Sequence, residues 1–223
     1  MKTIRILLVA VAISCTAHLS MSQMINWKRL SPEQTSLVSL NVGWDFASTV
    51  GIGYGHFLNT TLPIVMEIQF SVPFGANLLD DFKVKLGGQA ELLSLGNFSA
   101  TVKAYGIFRR YENRAASLLN FGSEFSGVVG YYQPTWHAAA EIGFDKAITT
   151  RVKHGALMRE EFPDAKDGWY VPTAGNFYYG VQAGKSLGDA LDLNLRLGAT
   201  RSQYDDVNPL LPYYLQMGVG VKF

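Results

Sequence analysis

Tyr213-Tyr214-Leu215-Gln216-Met217-Gly218-Val219-Gly220-Val221-Lys222-Phe223 is the stretch on which the fold turns. Tyr213, Leu215, Met217, Val219, Val221 and Phe223 share one parity, and Gln216, Gly218, Gly220 and Lys222 share the other. Successive side chains of a strand point to opposite faces, so this is a strand with one apolar and one polar side. The same period recurs over residues 37–46, 49–57, 62–72, 82–92, 98–109, 120–132, 136–145, 177–185 and 191–200. That makes ten strands of roughly nine to thirteen residues, close to the length a tilted membrane-crossing strand needs.

The composition agrees with such a chain. Of 223 residues, 48% are hydrophobic and 13% aromatic, 22 are glycine, and only 17% are charged, against a norm of about 25%. Disorder requires the opposite balance. A formal charge of +1 gives no basic footprint for nucleic acid. The single cysteine, Cys15, excludes a disulfide framework and a zinc-finger spacing. No stretch after the N-terminus has 18 consecutive apolar residues, as a membrane-spanning helix would.

Residues 1–22 read as a secretory signal peptide: Lys2 and Arg5, an apolar run over 6–13, then small residues at Ser20 and Ser22. Cleavage after Ser22 is the first choice and after Ala17 the second. Ala12-Ile13-Ser14-Cys15 is a loose lipoprotein-type box without the usual leucine. Loss of 1–22 removes two bases and no acid, which takes the formal charge from +1 to −1. Residues 23–35 form a periplasmic segment in which Ser31-Pro32-Glu33-Gln34 predicts a capped helical turn or two. It either plugs the barrel mouth, lies on the membrane, or is an ordered tail. Residues 36–223 are the barrel.

A soluble barrel also alternates, but buries its apolar face. Three features favour the reverse polarity. The polar parity is rich in glycine, serine, threonine and glutamine, as a narrow wet interior would be. Short turns at 58–61, 93–97, 133–135 and 186–190 alternate with longer loops at 73–81, 111–119, 151–175 and 202–212. Only 47–48 is tight at the long-loop end. Finally, apolar-face Phe46, Phe70, Phe82, Phe108, Phe121, Phe144, Phe177 and Tyr213 gather at the long-loop end, and Phe98, Tyr131, Trp136 and Phe223 at the other. Aromatic girdles at both interfaces mark a membrane barrel.

The chain therefore resembles bacterial outer-membrane β-barrel proteins, whose last strand ends in an aromatic residue preceded by alternating apolar ones. The resemblance spans the leader, the strand pattern and the terminal motif, and is class-level. It implies an all-β, antiparallel up-and-down transmembrane barrel of about ten strands, with eight as the alternative count. It also implies an outer-membrane location, contact with lipid and lipopolysaccharide, and recognition of Tyr213, Leu215, Met217, Val219, Val221 and Phe223 by the barrel-assembly machinery.

The polar parity places thirteen charges in the lumen: Asp45, Glu67, Glu91, Glu124, Glu141, Asp145 and Asp192 against Lys83, Lys85, Lys103, Arg109, Arg196 and Lys222. Such balance in a narrow bore predicts internal ion pairs rather than a filter, which shows an excess of one sign. The expected function is a narrow porin-like or ligand-binding barrel possessing no cofactor. The alternative is a non-conducting structural partner in an envelope complex, docking through the mixed-charge loop 151–175.

An outer-membrane hydrolase is the third reading. It would need a serine beside a histidine, but His56 and Ser123 interrupt the apolar face at opposite rims. Asp80, Asp81, Asp205, Asp206 and His154 fall in external loops. His137 and Glu141 share a face, but four residues of strand set their Cα atoms about 13 Å apart. The sequence thus names no catalytic residue and no metal set.

Overall fold

A computed structural model describes residues 25–30, 33–45, 47–58, 60–74, 80–171, 175–204 and 211–223. The leader, Cys15, Phe46, the Ser31-Pro32 cap, Asp205 and Asp206 lie outside the described residues. The chain forms β1 (Ser36–Trp44), β2 (Ser48–Leu58), β3 (Ile64–Pro73), β4 (Phe82–Leu95), β5 (Phe98–Glu112), β6 (Ala116–Tyr132) and β7 (Trp136–His154). A short helix α1 (Ala156–Glu161) and β8 (Gly168–Tyr170) follow, then β9 (Gly175–Leu187), β10 (Leu191–Ser202) and β11 (Tyr213–Lys222).

Ten of these strands make a closed antiparallel barrel. Neighbours in sequence pair throughout, β7 pairs with β9, and β1 closes on β11 from Leu37↔Lys222 to Trp44↔Leu215. Closure leaves no unpaired edge, the one form in which a sheet can stand in lipid. The three-residue β8 is an addition on β7, opposite Thr150–Val152. Among the described residues no helix is long and apolar enough to cross a membrane.

Side-chain direction follows the parity of the sequence. Ile142, Leu86 and Val129 stand 65%, 62% and 61% exposed on the outer face, while Glu67, Lys83, Glu141 and Lys222 are buried inside. The outer rings touch. Phe70, Phe82, Phe108, Phe121 and Trp169 form a ladder with centroids 5.0–6.0 Å apart at the long-loop end. Phe144 and Phe177 extend that end, and Phe98, Tyr131 and Trp136 form the second cluster.

Three departures have local causes. β6 and β7 run beyond the expected 120–132 and 136–145, so most of the expected loop 111–119 is strand. Phe121↔Thr149 beside Gly122↔Ala147 leaves Ile148 as an extra residue, and a bulge of this kind breaks period two just where the pattern faded. A second bulge at Leu92 lets β4 continue to Leu95. The helix expected from residue 32 is absent over the described residues 33–35. Helical geometry comes earlier, as one 3-10 turn at Trp27–Arg29 whose cap is Asn26.

Candidate functional site: the lumen and its two ends

The short-turn end is stoppered from within. Ile25 and Trp27 sit in an apolar seat made by Leu37, Val65, Val128, Tyr132 and Ala139, with Leu30 and Phe57 against it. Leu37, Val65, Val128, Tyr132 and Ala139 thus form an apolar cluster where the N-terminal segment enters. Trp27 Nε1 donates to Thr101 Oγ1 at 2.8 Å and Asn26 Nδ2 to the Gln133 carbonyl at 2.8 Å. Lys28 Nζ donates to Ser94 Oγ at 2.8 Å, and Arg29 to the Pro134 carbonyl and Asp189. The segment is therefore a plug tied to three hairpin ends, one of the alternatives open from the sequence. Lys222 Nζ, 3.4 Å from the Arg29 carbonyl, adds a tie from the last strand.

Ten of the thirteen lumen charges form five ion pairs: Lys83–Asp45 at 2.5 Å, Lys85–Glu124 at 2.5 Å, Arg109–Asp145, Arg196–Glu141, and Lys222–Asp192 at 3.0 Å. Lys85–Glu124, Arg109–Asp145 and Arg196–Glu141 each join strands two apart in the barrel order, and Lys83–Asp45 joins β4 to the turn between β1 and β2. Glu67 instead accepts from Gln69, Gln89 and the Tyr105 hydroxyl, and Glu91 from Ser99. Lys103 forms no ion pair among the described residues, although it lies within the electrostatic reach of Glu141 and Glu67. Buried charges persist only when paired and hydrogen-bonded, and glutamine and tyrosine donors supply those bonds around Glu67 and Glu141.

Arg196 is the centre of the middle layer. Its guanidinium faces the Tyr214 ring at 4.6 Å and the Tyr178 ring at 5.1 Å, cation–π distances. It bonds Glu141 and Gln216, and Glu141 also accepts from Gln182 and from the Tyr214 hydroxyl at 2.6 Å. The tyrosines and glutamines of this layer were not singled out from sequence. They sit on the inward parity, which was the available signal.

Above this layer a cavity of about 200 Å³ opens toward the long loops, lined by Asp45, Lys83, Arg109, Asp145 and their neighbours Tyr111, Asn176 and Thr200. It has room for several waters or one small solute. Among the described residues the bore is thus a cup: open at the long-loop end, floored by ion pairs, and plugged beneath.

The other candidates do not converge. His137 stacks on Tyr132 at 5.3 Å while Glu141 is engaged with Arg196, so they are not an acid–base pair. His154 is bound by Asp167 at 3.0 Å, and Asp81 accepts from the Glu112 backbone N–H. His56 has a serine neighbour that sequence reasoning missed: Ser36 Oγ lies 3.5 Å from His56 Nδ1 and 3.1 Å from the Tyr54 hydroxyl. Ser36 and His56 are register partners of β1 and β2, a relation visible only once the strands are aligned. Among the described residues no group of three or more His, Cys, Asp or Glu is placed to hold a metal ion. The chain matches no family model, and no curated protein matches its sequence.

Proposed function

We propose that this chain is an exported, integral outer-membrane β-barrel whose bore is closed and whose long-loop mouth is a polar binding cup. The membrane reading is supported by the inverted polarity, with large apolar side chains outside and carboxylates and amines inside. Water-soluble barrels have no reason to expose this band, and lipid has every reason to cover it. Phe223 lies at the barrel seam, where its N–H and carbonyl exchange hydrogen bonds with Ser36 at 3.0 Å. An assembly machinery that reads the last strand would meet that residue where the first and last strands join.

The observation that carries the closed-bore reading is the seating of Ile25 and Trp27 in the apolar ring. Together with five ion pairs above it, this favours binding over conduction. A porin-like barrel would show steady openings in a planar bilayer, whereas this one is expected to insert and stay silent. Sustained openings by the full chain would overturn the reading. A second reading, docking of an envelope partner, is favoured by loop 151–175, where Leu157, Phe162 and Trp169 are exposed. Co-purification of a stable partner that is lost when these three are changed to serine would support it.

A further inference from the structure

We propose that the cup at the long-loop mouth binds a small zwitterion, a solute carrying an ammonium and a carboxylate, such as an α-amino acid or a betaine. This deepens the binding-cup reading above. The cup holds an arrangement that folding alone disfavours. Lys83 and Arg109 are direct register partners on β4 and β5, and Glu124 and Asp145 are direct register partners on β6 and β7. All four point inward, and like charges opposite one another destabilise a sheet. Lys85, two residues along from Lys83, strengthens the cationic wall. Two walls of opposite sign therefore stand side by side in one cavity.

The existing ion pairs relieve the repulsion by crossing between the walls. Lys85 reaches Glu124 and Arg109 reaches Asp145, while Lys83 turns the other way to Asp45. Arg196 lines the cavity as a fourth base and is matched by Glu141 beneath it, so these eight groups sum to zero charge. An inorganic anion would leave the three carboxylates without partners, and a simple cation would do the same to the bases. A neutral sugar would leave the pairs engaged with one another. A zwitterion alone serves both walls, its carboxylate on Lys83 and Arg109 and its ammonium on Asp145 and Glu124.

A second observation points the same way. Arg109 lines the cavity with its side chain 13% exposed, and Asp145 occupies one nitrogen of its guanidinium. A guanidinium presents its donors as a planar fork suited to a carboxylate. A ligand carboxylate would share that fork with Asp145. Asn176 and Thr200 on the remaining wall offer polar contacts to the rest of the solute.

The test is titration calorimetry of the full refolded barrel in detergent with glycine, glutamine and glycine betaine, against glucose, inorganic phosphate and ammonium chloride. Saturable binding of at least one zwitterion is expected, with none by the three controls. Arg109→Gln and Asp145→Asn should each weaken it at least about tenfold, the loss expected for one charge-assisted hydrogen bond. Heat-modifiable gel mobility reports whether each variant is folded, and Arg109→Lys, which keeps the charge, should retain part of the affinity. The proposal is overturned if no zwitterion binds into the millimolar range, if phosphate or glucose binds instead, or if folded Arg109→Gln binds as the parent does. Conductance is a separate readout: a barrel that conducts yet binds a zwitterion keeps this site and loses the closed bore, and a silent barrel that binds none does the reverse.

Discussion

Replacing Trp27 by alanine should unseat the plug without unfolding the barrel. Trp27 is 7% exposed, packed with Ile25 among Leu37, Val65, Val128, Tyr132 and Ala139. Truncating a buried tryptophan to alanine costs about 3–5 kcal/mol, part of it the Nε1 hydrogen bond to Thr101. The contacts of Lys28 and Arg29 are exposed, and such contacts are worth about 0–1 kcal/mol each, so they cannot hold the segment alone. A loss of about 4 kcal/mol raises the undocked population roughly a thousandfold.

The assay places a thiol beneath the plug, at Val128→Cys, which is 2% exposed in the parent. Its reaction with a small water-soluble thiosulfonate from the short-turn side tracks the open fraction when reclosing is fast. The Trp27→Ala background should speed labelling by two to three orders of magnitude on that estimate. Trp27→Phe, which keeps an aromatic ring and loses the N–H, should fall between. Equal labelling rates in parent and Trp27→Ala, with both barrels heat-modifiable, would refute the claim that this side chain holds the plug.

Other perturbations test the seam and the loop. Gly43 has φ +146°, and a Cβ there would stand 1.9 Å from the Leu215 backbone oxygen. Gly43→Ala should therefore lower the temperature of gel-mobility conversion further than Gly96→Ala, which costs roughly 1 kcal/mol because φ is positive there but the space is open. Deleting Phe223 removes both of its hydrogen bonds to Ser36 and should reduce the heat-modifiable fraction in the outer membrane, leaving protein in the periplasm. Asp167 accepts from the backbone N–H and ring of His154, contacts that hold its carboxyl below the usual range, and from Arg159 as well. A depressed folded pKa means these loop contacts persist above the ordinary carboxylate range and are lost as pH falls below it. The protection of the His154 backbone N–H, relative to its intrinsic exchange rate at each pH, should fall under acid and, at neutral pH, in Asp167→Asn.

Parity was the legible part of this molecule. Alternation in residues 62–72 put Glu67 and Gln69 inside and Met66 and Ile68 outside, as the structure has them, because a strand's side-chain period leaves no other choice. The thirteen lumen charges followed from the same rule, but their partners did not. Lys85 meets Glu124 and Arg196 meets Glu141 through barrel curvature and register, which no single strand encodes. The extension of β7 past Asp145 was hidden by the bulge at Ile148, which shifts the period by one. The plug was half legible. Its place was among the alternatives, while the turn at Trp27–Arg29 lay outside the Ser31-Pro32-Glu33-Gln34 signal, since Trp27 is fixed by burial against Val128 and Tyr132 rather than by local capping preference.

The central claim is that lipid covers the face exposing Ile142, Leu86 and Val129, and the protein's own tryptophans can test it. Its four tryptophans are Trp27, Trp44, Trp136 and Trp169; Trp44 and Trp136 stand outward, 44% and 45% exposed, and Trp27 is buried within. Single-tryptophan variants reconstituted into vesicles of lipid brominated near the headgroup should show strong quenching of Trp44 and Trp136, and little of Trp27. Quenching absent from both outward tryptophans in a folded, vesicle-associated barrel would contradict the account.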